Sequence, residues 1–530
     1  MATVTLTARF SQLDSWPGNL FDASRGAGTE VTLRSATQLK FTLGPGTDFE
    51  GYSVVVSGTG FSYLDGVAVA GTMSQVRVAD DRGRTLVTFG DLAGGTPVSK
   101  DLSQFYSNVF GSEVPDAGPW PNSSIVWDHL MTGNDVIRGT SGDDWETLAG
   151  ADVGQDIYDL GAGDDQVEGG IGNDTYNGGG GFDRLTFRDT TYNNGITATR
   201  GAVIDLRAGT VTDPWGGRDR INGIEAAEGS RFGDVFRGRA DRDDEFSGLR
   251  GRDSFNGGRR SYVDGQPTDD GHDRVQYDND YWQGGWLGIR ADLETSFSKG
   301  SIRGTIRDGF GNVDTVTDIE DVVGTRFGDS FIGSRADNAF QGGEGRDTYQ
   351  GGAGHDRLEF RGSFVGPEPS GIRVDLSLAA GQIIDDGFGN KETAIGIEQI
   401  TGSDGNDRIR GSARADDFEG ARGADSMTGG GGSDTFIWWE EDHLDRADRI
   451  TDFSGNDHLA FRVENFDGMT STLRLVNGTA ATTGRGTFVY NDANDTLYWD
   501  RDGTGGASAR AVAVLAGVES LSASNFELWV

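Results

Sequence analysis

An all-β fold organised around a repetitive solenoid is the class this sequence predicts, and three observations predict it. Acidic residues recur every nine positions in long runs. A large apolar side chain stands two residues after most of them. Glycine supplies 86 of the 530 residues, more than twice its ordinary share of about 7%. With only 10 prolines and no three-residue period, the chain is not collagen-like. Its hydrophobic share of 35% and aromatic share of 10% are too high for a disordered acidic chain. Its length points to several domains or one long repetitive body, because single cores rarely grow past about 300 residues.

The elements follow in chain order. Residues 1–114 alternate apolar and polar side chains, at Val4, Leu6, Ala8 and Phe10, at Val31 and Leu33, and at Leu39, Phe41 and Leu43. Further strand candidates are Tyr52–Val56, Val76–Val78 and Leu86–Phe89. This reads as a small N-terminal β domain, with a short helix expected from Asp101 to Val109. Residues 115–132 form a linker, stiffened by Pro115, Pro119 and Pro121. Repetitive blocks then occupy 133–187, 188–276, 277–360 and 361–437, the last three each opening on an insert. Residues 438–530 lose the repeat and regain alternation, as a β cap with turns at Asn491–Asp495 and Asp500–Gly505. An atypical last unit is what an open solenoid end requires, since it would otherwise expose unpaired strand edges.

The register is arithmetic. Asp156, Asp165, Asp174 and Asp183 are nine apart, as are Asp329, Asn338, Asp347 and Asp356, and Asp407, Asp416, Asp425 and Asp434. A looser run holds Asp234, Asp244, Asp253 and Asp273, and an early fragment adds Asp135 and Asp144. The apolar followers are Tyr158, Val167, Tyr176 and Leu185, then Phe236, Phe246, Phe255 and Val275, then Phe331, Phe340, Tyr349 and Leu358, then Ile409, Phe418, Met427 and Phe436. Each nonad thus joins a glycine-rich turn to a very short strand with one inward side chain. If successive nonads lie on opposite sides of a flattened right-handed coil, residues eighteen apart stack at about 4.8 Å. Unrelated acidic turns would not keep three runs of four in register.

Stacked carboxylates at that spacing repel by roughly 0.9 kcal/mol per pair even in bulk water. A cation held by oxygens between turns reverses the sign. Calcium, which takes six to eight oxygens in flexible geometry, fits such a cage better than magnesium. Zinc is poorly served without Cys and with only five His. The expected pairs are Asp156 with Asp174, Asp165 with Asp183, Asp329 with Asp347, Asp407 with Asp425 and Asp416 with Asp434. Asn338 with Asp356 is the weaker one, and Asp144, Asp244 and Asp253 complete the set with less regular spacing. Gly163, Gly172, Gly181, Gly345, Gly354, Gly423 and Gly432 are the turn positions expected to bring backbone carbonyls to the ion. Arginines at Arg231, Arg239, Arg242, Arg252 and Arg259 are expected to weaken or replace ions in the second block.

The formal charge of −38 excludes a nucleic-acid partner and disfavours an anionic membrane surface. No apolar run approaches the roughly 20 residues of a membrane span, and Met1–Phe10 does not read as a cleavable export signal. Three inserts repeat one another. Each has a strand-like piece (Val203–Leu206, Ile289–Leu293, Ile372–Leu376), an Asp turn (Asp213, Asp308, Asp386) and an Ile-Glu pair eleven residues past that Asp (Ile224-Glu225, Ile319-Glu320, Ile397-Glu398). These pieces are expected to continue the coil as wider rungs, their acids serving either cation sites or plain turns. The aromatics Tyr277, Tyr281, Trp282 and Trp286 either cover the coil or stack on sugars.

The nonads of residues 133–437 resemble the RTX family of glycine- and aspartate-rich calcium-binding repeats in bacterial secreted proteins. That resemblance implies a calcium-bound parallel β-roll in several blocks. The ending, Phe488–Asn491, Leu497–Gly503 and Leu521–Val530, resembles that of type I secretion substrates. It implies export by the type I secretion machinery to the medium or cell surface, without a cleaved N-terminal signal, and folding on extracellular calcium. No HExxH and no GxSxG is present, and His272 and His355 occupy the turn position before a nonad Asp. The sequence therefore reads as a structural or adhesive protein, not an enzyme, contacting surface polysaccharide or sibling subunits. An acid-dependent carbohydrate-active enzyme (lyase, epimerase or glycosidase) and a self-assembling surface layer are the alternatives.

Overall fold

The computed structural model describes residues 154–188, 197–258, 271–361, 369–444 and 446–530, together with the backbone of short strands at 3–6, 30–34, 38–42, 53–64, 67–79, 85–90, 100–101, 136–138, 262–263 and 266–267. Asp135, Asp144, the 115–132 linker and residues 102–109 of the expected helix lie outside the described residues, and Asp101 closes the strand Lys100–Asp101. The chain divides into two units, residues 1–239 with 243–254, and residues 240–242 with 255–530.

In the first unit, Gln38–Thr42, Ser53–Leu64, Val67–Ala79 and Thr85–Gly90 form an antiparallel meander. Thr3–Leu6 joins it antiparallel to Thr85–Gly90 and runs parallel to Val136–Arg138, which pairs in parallel with Ile157–Ala162. The N-terminal strands therefore cover the edge on which the coil begins, the place where unpaired N–H and C=O groups would otherwise be exposed.

The coil itself keeps the eighteen-residue period. Ile157 pairs with Thr175 on one sheet, and Gln166 with Arg184 on the other. In the second unit Ser330 pairs with Thr348, Ala339 with Arg357, Arg408 with Ser426 and Asp417 with Thr435. Strands of three residues suffice because each needs only its middle side chain inward. Tyr158, Val167, Tyr176 and Leu185 are buried, as are Phe331, Phe340, Tyr349, Leu358, Ile409, Phe418, Met427 and Phe436. Rings stack along the coil, Tyr158 on Tyr176 at 4.9 Å and Phe331 on Tyr349 at 5.1 Å. Each buried side chain of this size contributes about 1.5–3 kcal/mol, but the core is only two ladders wide.

The inserts are more elaborate than wider rungs. In the first, Val203–Asp205, Thr210–Thr212 and Arg218–Asn222 form an antiparallel ribbon. Its last strand stacks in parallel on Thr175–Gly180 of the preceding block, and its first strand pairs in parallel with Val235–Arg237 of the following one. The chain thus reverses twice inside the stack. Ala226–Glu228, just past the Ile-Glu pair, meanwhile bridges Arg184–Thr186 and Glu245–Ser247 on the opposite sheet.

Residues 446–530 extend both stacks before closing them. His458–Arg462 and then Phe526–Trp529 continue one sheet. Asp448–Ile450 and Arg510–Leu515 continue the other, followed by the antiparallel strands Thr496–Asp500 and Thr487–Asn491 and, parallel to the latter, a last strand Leu475–Asn477. Phe461, Phe488 and Trp499 fill this end, with ring centroids 4.6 and 4.8 Å apart along the series.

Candidate metal centre: the acid ladders

Parallel stacking in an eighteen-residue register places each nonad acid against the backbone of the acid one turn earlier. The Oδ1 of Asp174 accepts the N–H of Asp156 at 2.8 Å, and Asp183 that of Asp165 at 3.0 Å. The same bond joins Asp347 to Asp329, Asp356 to Asn338, Asp425 to Asp407 and Asp434 to Asp416. In the irregular block Asp253 serves Asp234 across nineteen residues. These acids are buried.

The ladders continue through residues the nine-residue register does not contain. Asp219 accepts from the N–H of Asp174, and Glu225 from that of Asp183. Glu392 and Glu398 do the same for Asp347 and Asp356, Glu320 for Asp273, and Asp448 and Asp457 for Asp425 and Asp434. The Glu of each Ile-Glu pair is thus a ladder member. The partner acids Asp219 and Glu392 lie six residues past Asp213 and Asp386, a spacing shared by Asp308 and Asp314, and that spacing was the available signal.

The turns come in two kinds. Where Ser, Thr or Arg stands at the turn, the acid is satisfied by its own loop. Asp329 Oδ2 accepts the N–H of Thr325 and its Oδ1 the Thr325 hydroxyl, while Asp407 is held likewise by Ser403. Asn338 and Asp416 take the N–H of Ser334 and Ser412. Asp244 takes both the backbone and the guanidinium of Arg239, so an arginine charge sits where a cation was expected.

In three of the glycine-rich turns the second oxygen is open, whereas Asp174 Oδ2 and Asp347 Oδ2 accept the hydroxyls of Tyr176 and Tyr349. The Oδ2 atoms of Asp183, Asp356 and Asp425 are buried without a hydrogen-bond partner. A Cβ placed on Gly178 would meet Gly223 O at 1.8 Å and Asp183 Oδ2 at 2.3 Å, and one on Gly351 would meet Gly396 O at 1.9 Å and Asp356 Oδ2 at 2.3 Å. A carbonyl oxygen and a carboxylate oxygen therefore crowd against the same glycine, side by side, where no side chain can stand. Turn backbones approach equally closely: Gly179, at φ +115°, would bring a Cβ to 1.9 Å from Gly161 O. The expected carbonyl-bearing glycines lie in this contact zone. A Cβ on Gly172 would meet Gly154 O, on Gly181 Gly163 O, on Gly345 Phe327 O, on Gly354 Ala336 O, on Gly423 Gly405 O and on Gly432 Arg414 O.

Electrostatics mark the same oxygens. Burial, then like charge, pushes Asp183 up to about 6, Asp356 to about 7 and Asp425 to about 9, the last with Asp448 as its chief neighbour. Burial, Asp213 and Asp174 push Asp219 up to about 8. Hard oxygen donors with uncompensated charge fit calcium. Among the described residues no three His, Cys, Asp or Glu side chains converge as a metal cluster. A ladder offers carboxylates one rung at a time, so the remaining ligands would be turn carbonyls and water.

Other candidate residues fall elsewhere. His272 pairs with Asp321 at 3.2 Å and His355 with Asp417 at 3.4 Å, so both turn histidines face acids. Tyr277 is buried, its hydroxyl donating to Asp314, whereas Trp282 and Trp286 are 62% and 68% exposed. Among the described residues no helix is long and apolar enough to cross a membrane.

A family model described as the RTX calcium-binding nonapeptide repeat matches residues 131–145, 151–185, 323–358 and 401–436. The matches fall on the three regular runs and the early fragment, and pass over the block in which Arg239 occupies its turn. No curated protein matches the sequence.

Proposed function

Because the chain is an RTX calcium-binding nonapeptide-repeat protein, we propose that it works as a secreted, calcium-hardened structural or adhesive element of the cell exterior. Calcium supplies positive charge between rungs that otherwise repel. The chain's own residues supply the cage: Asp183, Asp356 and Asp425 through their open Oδ2, with Gly223 and Gly396 lending carbonyls in the first two cases. Asp165, Asp174, Asp347 and Asp434 are further ligands in this reading. Asp329, Asn338, Asp407, Asp416 and Asp244 act chiefly as rungs closed by their own turns. The one observation that carries the reading is the pairing of an unpartnered buried carboxylate oxygen with a backbone carbonyl against the same glycine.

A chain of charge −38 whose core is thin stays expanded while calcium is scarce and becomes threadable by the type I secretion machinery. It folds where calcium is plentiful, at the millimolar level suited to extracellular calcium modules. Outside, the exposed Trp282 and Trp286 offer stacking surfaces to polysaccharide or to a sibling subunit. No observation singles out a carbohydrate-active enzyme. Retention of the purified chain on polysaccharide-coated beads, with calcium and with chelator, tests the role. Calcium-dependent retention without turnover of the polysaccharide is expected; turnover abolished by one carboxylate substitution outside the nonads would overturn it.

A further inference from the structure

The two sheets of the coil in the second unit differ in how their arginines are answered. On one sheet acids take them: Arg274 lies 3.5 Å from Asp321, Arg357 lies 2.7 Å from Glu359, and Arg361 pairs with Glu419. On the other, the strands Arg373–Asp375, Arg408–Arg410, Ser426–Thr428 and Asp448–Ile450 stack in parallel. Val374, Ile409, Met427 and Ile450 are their buried residues, so the side chains on either side of each point outward. Arg373, Arg408, Arg410 and Arg449 stand exposed on that outer face.

Among the described residues none of these four guanidiniums forms an ion pair or a hydrogen bond. The acids beside them are turned to their own loops or to a neighbouring turn. Asp375, the rung partner of Arg410, accepts from the N–H and hydroxyl of Ser377. Asp385, opposite Arg373, accepts the N–H of Gly387, and Asp452 accepts those of Gly429 and Gly430. Between the arginines stand hydroxyls: Ser426 pairs in register with both Arg408 and Arg449, and Thr428 bonds Thr451 at 2.7 Å. Arg373 and Arg408 occupy adjacent rungs, about 4.8 Å apart, and Arg408 and Arg449 lie two rungs apart, about 10 Å. In a chain of 84 acidic and 46 basic side chains, this row of unanswered cations is complementary to an anion supplied from outside.

We propose that this face binds an acidic polysaccharide, its carboxylates held by Arg373, Arg408, Arg410 and Arg449 and its hydroxyls by Ser426, Thr428 and Thr451. The guanidinium fork matches the two oxygens of a carboxylate. A row that crosses several rungs suits an extended polymer better than a compact ligand, and hydroxyls set among the cations suit a sugar. Calcium in the ladders offsets the acids behind the face. The assignment rests on the adhesive role proposed above and gives the surface polymer its charge, which the exposed Trp282 and Trp286 do not.

The test uses the full chain in millimolar calcium on immobilised hyaluronate, with the same polymer after reduction of its carboxyl groups as the uncharged match. The wild type should be retained on hyaluronate, be released as salt rises, and bind the reduced polymer far more weakly. The double variant Arg408→Gln/Arg449→Gln should weaken retention about tenfold, as the loss of two exposed charge contacts. Its β signal in calcium should be unchanged, because both side chains are exposed. Arg422→Gln/Arg462→Gln removes the same charge from arginines paired with Asp442 and Glu464 and should leave retention as it was. Equal retention on the two polymers, equal loss in the two double variants, or no retention of the wild type would overturn the proposal. Particles of the calcium form that fall apart in Arg408→Gln/Arg449→Gln, with no hyaluronate bound by the wild type, would overturn it in favour of a second copy on this face. A chain that gains its β signal on calcium and binds neutral polysaccharide, yet ignores hyaluronate, fails here alone and leaves the adhesive role standing.

Discussion

Asp425→Asn separates the cost of stacked acids from the gain of holding an ion between them. Asp425 sits between Asp407 and Asp448 in its ladder, Oδ1 bonded and Oδ2 open. At a rung spacing of about 4.8 Å, each like-charge neighbour costs about 0.9 kcal/mol in bulk water and about 3.5 kcal/mol at an effective dielectric of 20. Without calcium the folded chain must either bear that charge or bind a proton to Asp425, so replacing the carboxylate while keeping an acceptor for the Asp407 N–H should stabilise it, by about 2 kcal/mol or more. With calcium the sign of the neighbour effect reverses. An ion at a hundredfold its dissociation constant stabilises by about 2.7 kcal/mol, and the variant forfeits most of that at this rung. Asn itself is compatible with the position, since Asn338 already occupies the equivalent one, its side-chain oxygen accepting from Ser334. The assay is thermal unfolding of wild type and variant, each in chelator and in millimolar calcium. The chelated midpoint should rise and the calcium increment should shrink. A variant that melts lower by the same amount in both conditions would refute the reasoning, because Asp425 would then be a hydrogen-bonding residue and nothing more.

Further outcomes follow from the same ladders. Folded-state values raised to about 6, 7 and 9 at Asp183, Asp356 and Asp425, against about 3.9 in the unfolded chain, mean that the folded form binds more protons. In chelator, that contribution is fully present below about pH 4 and is lost as pH rises through 6 to 9, so circular dichroism should show more β signal at pH 5 than at pH 9. Calcium binding near pH 7 should release protons, measurable as a buffer-dependent calorimetric heat. Gly179→Ala, which would drive a Cβ to 1.9 Å from Gly161 O at a φ of +115°, should cost more than about 2 kcal/mol and lower the melting midpoint in calcium. Tyr349→Phe removes the hydroxyl that donates to Asp347 Oδ2 at 3.2 Å. It should cost about 1 kcal/mol while leaving calcium stoichiometry unchanged.

The coil was legible because its rule is local: glycine where turns touch, an acid at the bend, an apolar residue two positions on. Each residue type reports its own environment, so the pairing of Ile157 with Thr175 could be counted from the sequence. The insert ribbons were less legible. Thr210–Thr212 and Arg218–Asn222 pair antiparallel, yet neither shows more than two apolar residues, and their register is set by the rungs on either side. The ladder role of Asp219 and Glu392 stayed hidden for a related reason. Their partners lie 45 residues back, where the nine-residue count has been broken by the insert. The two kinds of turn could have been told apart by Ser or Thr four residues before the acid, as at Thr325, Ser334, Ser403 and Ser412. Such residues cap a carboxylate wherever the loop is short.

The most direct measurement is a calcium titration of the chelated chain, followed by far-ultraviolet circular dichroism and by bound ions per chain. The ladder account requires β signal and ion count to rise together, cooperatively, between submillimolar and millimolar calcium. A chelated chain already showing the full β signal and the melting midpoint of the calcium form would contradict it.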